Sequence, residues 1–129
     1  MSKIFKPPEE WFKQADYDLK TAEALFKTSR YLYTVFMCHL SIEKALKGFY
    51  AKKFQKGPPK IHNLNYLCQK IEIKLAEEFQ DFIDRLNNLS VPPRYPDELA
   101  RLLRDYKKDL TKIVLRQTKE LLLCLKEKI

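Results

Sequence analysis

The sequence predicts an all-α protein, a four- to five-helix up-and-down antiparallel bundle that occupies residues 1–129 as a single domain. Only 2 of the 129 residues are glycine and 7 are proline, so long segments are free of helix breakers. Within these segments apolar residues recur every three or four positions, which is the period of a helix with one buried face. The connections between the segments are short, and short connections favour antiparallel neighbours.

The first two helices are predicted on either side of a short polar turn. The first is expected to begin after Pro7-Pro8, and its apolar residues recur at steps of three and four: Trp11, Ala15, Leu19, Ala22 and Phe26. The second is expected from about Tyr31 to Phe54. Residues 55–60 (QKGPPK) stop it, because glycine and two prolines do not continue a helix.

The second half of the chain is predicted to contain a short helical piece capped by Asn63, a helix over residues 75–89, and a last helix. Residues 90–96 (SVPPRYP) are expected to be extended, because proline biases the residue before it away from the helical region. The last helix is expected to run unbroken to about residue 127, with Asp97 as its N-cap. Its predicted apolar stripe is Leu99, Leu102, Leu103, Tyr106, Leu110, Ile113, Val114, Leu121 and Leu125.

The chain is basic, with a net charge of +8 that is unevenly distributed. Residues 44–60 contain six lysines and no acidic residue. Such an excess suits an anionic partner such as a nucleotide or RNA. A solvated, lysine-rich surface has the same composition, so charge alone does not separate the two interpretations.

Cysteine spacing and hydropathy predict the compartment. The three cysteines are widely spaced, with no CxxC or Cys/His ligand pattern, which is typical of a reducing environment. No apolar run reaches the length of a signal peptide or of a membrane span. We therefore expect a cytoplasmic protein with no membrane partner, no metal site and no cofactor.

Four segments, taken in order, carry a resemblance to a known family. They are WFKQADYDLKTAEAL in the first helix, YTVFMCHLSIEKALKGFYAKK in the second, the loop His62-Asn63-Leu64, and Arg94-Tyr95-Pro96-Asp97 before the last helix. Together they resemble the HEPN domain family, specifically its small stand-alone prokaryotic members. The resemblance extends from Trp11 to the last helix.

The resemblance implies a helical bundle that forms homodimers. HEPN proteins are often encoded beside small nucleotidyltransferases and act with them as toxin–antitoxin pairs. Many are metal-independent ribonucleases, and others are regarded as nucleotide- or RNA-binding modules. The ribonucleases carry an arginine separated by four to six residues from a histidine, which can serve as a general acid or base near pH 7. Neither His39 nor His62 has an arginine at that spacing, so no catalytic residue is carried over.

The second helix supplies three of six candidate ligand-binding residues. His39, Glu43 and Lys47 lie at i, i+4 and i+8 and therefore share one stripe of the helix. In the functional interpretation Lys47 contacts phosphate, His39 carries a proton or contacts the ligand, and Glu43 orients one of them. In the structural interpretation Glu43 and Lys47 form a helix ion pair and His39 donates to a neighbouring backbone group.

The other three candidates lie in connections. His62 either lines a cleft or remains a loop residue beside the capping Asn63. Arg94 and Tyr95 either clamp a phosphate and stack on a base or have a structural role, with Tyr95 packed on the bundle.

Three hypotheses follow from the sequence. The leading one is a non-catalytic HEPN-type module, a homodimer that binds a nucleotide or RNA and acts with a small nucleotidyltransferase. The second is a divergent metal-independent ribonuclease toxin that uses His39 or His62 with a distant arginine. The third is a purely structural dimerisation domain. The missing arginine–histidine motif favours a protein that is not an enzyme.

Overall fold

The predicted all-α class is confirmed by the computed structural model, which describes residues 5–95 and 98–129. Within these residues there are seven helical segments and no strand. The segments are α1 (Pro8–Lys27), α2 (Tyr31–Phe54), α3 (Leu64–Ile71), α4 (Glu77–Leu89), α5 (Val91–Arg94), α6 (Leu99–Asp105) and α7 (Lys108–Glu127). The number exceeds the predicted four to five because the chain after α4 forms three helical segments, where the sequence predicts one extended stretch and one helix.

Helices α1 and α2 begin and end close to their predicted positions. Pro8 occupies the first turn of α1, where a missing N–H costs nothing, and Glu9 and Glu10 complement the positive end of the helix dipole. A three-residue turn then reverses the chain, with Ser29 at φ 64°. α2 ends at Phe54, and the capping residue Gln55 has the left-handed conformation common at helix C-termini.

Small residues allow α1 and α2 to pack closely. Ala15 is fully buried at this contact, and its carbonyl oxygen accepts a hydrogen bond of 2.8 Å from Oγ of Ser41. Gly48 lies directly against the ring of Phe12: a Cβ atom built on this glycine would be 2.7 Å from Cε1 of Phe12. The glycine is therefore required by the close approach of the two helices.

Helix α2 is the centre of the fold, since it contacts all six other helices. Its buried side chains include the apolar residues Val35, Ile42 and Leu46. Polar residues of the same helix are buried as well, among them His39 and Glu43. These buried polar residues form part of the candidate site.

The prediction that residues 90–96 are extended is wrong for Val91–Arg94, which form the single helical turn α5. The bias that each proline places on the residue before it is overridden here, because Val91 and Pro92 are both helical. Pro92 itself is tolerated because it lies at the start of the turn, where its missing N–H is not needed. The N–H of Tyr95 donates to the carbonyl of Val91 at 2.9 Å and closes the turn. Asp97, expected as a helix N-cap, lies outside the described residues.

The prediction of one continuous last helix is also wrong, because the chain breaks at Tyr106 between α6 and α7. The tyrosine ring is buried, and its hydroxyl donates a 2.7 Å hydrogen bond to the carbonyl of Leu89 at the end of α4. A carbonyl left without a partner at a helix C-terminus is thereby satisfied. The break is thus stabilised by a tertiary contact, which cannot be predicted from the residues around Tyr106 alone.

The break changes which apolar residues reach the core. Five of the predicted stripe are buried: Leu102, Tyr106, Val114, Leu121 and Leu125. Leu110 is partly buried, whereas Leu99, Leu103 and Ile113 are exposed. The predicted stripe assumed one continuous helix, whereas α6 and α7 each turn their own face towards the core. Among the described helices, none has the length and apolar character needed to cross a bilayer.

Candidate functional site

Glu43 of α2 is the centre of a polar cluster that the fold encloses. Its side chain is only 5% exposed. Oε2 lies 2.9 Å from Nζ of Lys47, one turn along the helix, and 3.1 Å from Nδ1 of His62. Oε1 faces Arg94 of α5, whose terminal nitrogen is 3.8 Å away. Three basic side chains from three parts of the chain therefore surround one buried carboxylate.

His39 completes this group one turn before Glu43. Nδ1 of His39 lies 3.3 Å from a terminal nitrogen of Arg94, which can only donate. Nε2 lies 3.4 Å from the side-chain oxygen of Asn87 on α4, which can only accept. Nδ1 also lies 3.5 Å from Oε1 of Glu43, but the shorter contact with Arg94 and the contact with Asn87 together fit the neutral ring with its proton on Nε2. We refer to His39, Glu43, Lys47, His62 and Arg94 as the Glu43 cluster.

The electrostatics of the cluster keep the carboxylate charged and the histidine neutral. Burial alone would raise the pKa of Glu43, but the hydrogen bond and charge of Lys47, with smaller contributions from His62 and His39, lower it. Burial lowers the pKa of His39 to about 4, and the charge of Glu43 opposes this only partly. His39 is consequently uncharged near neutral pH.

Arg94 reaches the cluster from the single turn α5. Its guanidinium lies over the ring of Phe36, 4.9 Å from the ring centre, on the same side of α2 as His39. Stacking on an aromatic ring suits the planar guanidinium and fixes its direction. Phe36 was not among the site residues predicted from the sequence.

His62 is the member of the cluster that meets solvent, with 51% of its side chain exposed. It precedes α3, whose N-cap Asn63 accepts a hydrogen bond from the N–H of Tyr66, as predicted. Because the ionised carboxylate of Glu43 can only accept, Nδ1 of His62 must carry the proton. The ring then presents Nε2 away from Glu43.

Asn87 supports the cluster and was missed by the sequence analysis. Its side-chain oxygen accepts from the backbone N–H of Leu64 at 3.0 Å as well as facing His39. It therefore fixes the start of α3 relative to α2. A sequence signal was present, because Asn87 lies four residues after Ile83 on the inward face of α4.

Five of the six candidate residues thus converge, whereas Tyr95 lies apart. Its side chain is 69% exposed, so the expectation that it packs on the bundle is wrong. It borders a groove between α5, α6 and α7 instead. The ring extends into solvent because α5 is one turn long and Arg94 is the residue that turns inward.

The charges of the cluster do not balance. Glu43 contributes −1, whereas Lys47 and Arg94 contribute +1 each, so the group carries +1 with both histidines neutral. Protonation of His62 would add a further positive charge. The cluster therefore has the charge of an anion site, open to solvent on the side of His62. Among the described residues, no group of three or more His, Cys, Asp or Glu is arranged to hold a metal ion.

Comparison with known protein families matches residues 8–128 to the HEPN domain. The chain belongs to the HEPN domain family. The resemblance noted in the sequence is therefore confirmed, and it covers all seven helical segments of this HEPN protein. No curated protein is similar enough to match the chain.

Two solved structures share the fold. The protein TT1696 from Thermus thermophilus is 21% identical, with a TM-score of 0.83 over 95% of this chain and 98% of the other. ST0689, described as an archaeal HEPN homologue, is 23% identical, with a TM-score of 0.76 over 96% of this chain and 98% of the other. At this level of identity the likeness shows the helical architecture, and the assignment of the cluster depends on its own chemistry.

Proposed function

We propose that this HEPN protein binds the phosphate groups of a nucleotide or RNA at the Glu43 cluster. The observation that carries the proposal is the charge imbalance around Glu43, where two permanent cations and a half-exposed histidine share one carboxylate. Charge-assisted hydrogen bonds from such donors to phosphate are among the stronger contacts in proteins. The absent arginine–histidine motif leaves binding as the leading interpretation.

Two residues are proposed to contact the phosphate directly. His62 offers Nε2, because Nδ1 is committed to Glu43, and Nε2 donates to a phosphate oxygen when the ring carries its second proton. Arg94 is 15% exposed and lies 3.8 Å from Glu43, longer than a hydrogen bond, so its guanidinium has donors to offer a ligand. Lys47 is more deeply placed, and its proposed role is to hold Glu43 in position.

Binding of phosphate-containing ligands tests this proposal. We expect inorganic phosphate and AMP to bind the intact protein, and His62→Gln or Arg94→Gln to weaken both by roughly 10- to 100-fold, the value of a charge-assisted hydrogen bond. Arg104→Gln is the matched control, because Arg104 is an exposed arginine of α6 outside the cluster. Equal affinities of the parent and both cluster variants would exclude the cluster as the site.

We further propose that the protein is a cytoplasmic homodimer that acts with a small nucleotidyltransferase, in a toxin–antitoxin-like pair. This proposal is supported by membership of the HEPN family. Sedimentation of the purified protein tests the dimer, and mass spectrometry of proteins that copurify from the native host tests the partner. A monomer that copurifies with no nucleotidyltransferase would contradict both parts.

A second function, metal-independent cleavage of RNA, is favoured by one observation. Arg94 and His39 are 55 positions apart in the sequence, yet their side chains lie 3.3 Å apart. The fold thus brings together an arginine and a histidine that are too far apart in the sequence to form the linear motif. His39 is buried and neutral, so His62, oriented by Glu43, is the better candidate for a general base.

Cleavage assays separate the two functions. Cellular RNA is incubated with the parent protein and with His62→Ala and His39→Ala variants, each checked for folding by circular dichroism. Cleavage that is lost in a folded His62→Ala variant would establish the ribonuclease. Binding without cleavage would establish the module, and the absence of both would leave the purely structural dimerisation domain.

A further inference from the structure

We propose that the groove beside Tyr95 binds the base of the nucleotide whose phosphate binds the Glu43 cluster. This inference rests on the proposed function, because it extends the phosphate site to the rest of the ligand. The groove is formed by residues of α5, α6 and the start of α7, which would then take part in ligand recognition. Of these helices, only α5 contributes to the phosphate site, through Arg94.

The groove is a mostly apolar depression of about 610 Å³ between the end of α4 and the helices that follow. Its apolar lining includes Leu89, Pro92, Leu102 and Leu110. The side chains of Arg101 and Asp105 also line it. An apolar depression with a few polar groups is the usual form of a site for a flat aromatic ligand.

Tyr95 gives this groove an exposed aromatic ring. A second tyrosine, Tyr106, also lines it, but its hydroxyl is already bound to the carbonyl of Leu89, so only its ring faces the groove. Tyr95 has no such anchor among the described contacts and is 69% exposed. Unstacked bases are commonly held on exposed aromatic side chains of this kind, and the contact tolerates different bases.

The position of Tyr95 connects the groove to the phosphate site. Arg94 and Tyr95 are consecutive residues, so their Cα atoms are about 3.8 Å apart. Arg94 turns towards Phe36 and the Glu43 cluster, whereas Tyr95 borders the groove that residues of α6 and α7 also line. In a nucleotide the phosphate and the base are joined through a single sugar, so two sites that begin at adjacent residues suit one such ligand.

Isothermal titration with three ligands tests the inference: inorganic phosphate, AMP and a short single-stranded RNA. We expect Tyr95→Ala to weaken the binding of AMP or RNA by roughly 5- to 150-fold, the range measured for base–aromatic stacking, and to leave the binding of inorganic phosphate unchanged. Tyr95→Phe should retain the affinity, because it keeps the ring. Arg94→Gln should weaken all three ligands.

The outcomes distinguish the inference from the proposed function. If the parent binds AMP and RNA, and Tyr95→Ala binds them equally well, the groove is not the base site and the phosphate site stands. If none of the three ligands binds the parent, both proposals fail. A loss confined to AMP identifies a free nucleotide as the ligand, and a loss confined to RNA identifies a nucleotide within a strand.

Discussion

Nδ1 of His62 lies 3.2 Å from Oε1 and 3.1 Å from Oε2 of Glu43, which stands 19 positions earlier in the chain. This contact ties the connection between α2 and α3 to the middle of the longest helix. The same carboxylate accepts from Lys47 and faces Arg94, so one side chain joins α2, the loop and α5. The mechanical and electrostatic roles of Glu43 are therefore difficult to separate by removing it.

Replacement of Glu43 by glutamine should destabilise the fold strongly. The change removes the negative charge that compensates Lys47 and Arg94, both largely buried. Loss of one partner of a buried ion pair typically costs about 3–5 kcal/mol, and we expect a decrease of this order in the free energy of unfolding in urea. Glu72→Gln is the control, because the Glu72–Lys53 pair lies at the surface. Similar urea midpoints for the two variants would contradict the prediction.

Stability should fall as the pH is lowered from about 6.5 to 4. Burial lowers the pKa of His39 from 6.5 to about 4 in the folded protein. The unfolded chain therefore takes up a proton at a higher pH than the folded protein, and this uptake favours unfolding as the pH drops. The expected loss by pH 4 is about 3 kcal/mol.

His39→Gln isolates this effect, because glutamine does not titrate. Urea unfolding of the parent and the variant at pH 7, 5.5 and 4.5 should give a shallower decline for the variant. The lowered pKa of Glu43 adds a loss in both proteins as the pH falls below its ordinary value of 4.5. Parallel declines of parent and variant from pH 6.5 downwards would contradict the role assigned to His39.

Removal of the Asn87 side chain should destabilise the junction of α2, α3 and α4. Asn87→Ala leaves the N–H groups of Leu64 and His39 without their acceptor, which we expect to cost about 1–3 kcal/mol. Asn88→Ala is the matched control, because Asn88 is exposed on the same helix. The two variants are compared by urea unfolding, and equal stabilities would show that Asn87 does not anchor α3.

Gly48→Ala should destabilise the contact of α1 with α2 although alanine favours helix. The new Cβ would lie 2.7 Å from Cε1 and 2.9 Å from Cζ of Phe12, and that ring already packs edge-on against Phe49. Overpacking costs about 1–3 kcal/mol, whereas the gain in helix propensity is about 1 kcal/mol. Thermal unfolding should therefore show a lower midpoint.

Gly57→Ala provides the comparison for this prediction. The nearest atom to its added Cβ is Cβ of Phe5, at an ordinary 3.7 Å. We expect little change in its midpoint. A Gly48→Ala variant as stable as Gly57→Ala would show that Phe12 moves aside without cost.

The sequence predicted the first half of the fold well because its helix boundaries depend on local chemistry. Pro8 begins α1, the residues after Phe54 end α2, and Asn63 caps α3, each through its own backbone or side chain. The break at Tyr106 depends on a hydrogen bond to Leu89, 17 positions earlier. No local preference encodes that bond, so the periodic pattern was extended through the break.

The part of the candidate site that depends on local helical spacing was also predictable. The stripe of His39, Glu43 and Lys47 follows directly from helical spacing. The approach of Arg94 to this stripe required α5 to form and to turn its arginine towards Phe36. Asn87 was not predicted because asparagines in helices are common at exposed positions, as its neighbour Asn88 is. The inward position of Asn87 follows only from its spacing to the buried Ile83.

The central position of α2 has a consequence for how related chains should be compared. Glu43 and Lys47 are buried on a helix that contacts every other helix, so their replacement is opposed by the cost to folding whether or not a ligand is bound. His62 is half exposed in a loop, and folding constrains it far less. In lineages that have lost the proposed phosphate ligand we therefore expect His62 to diverge first, which makes this position the better marker of retained binding among relatives.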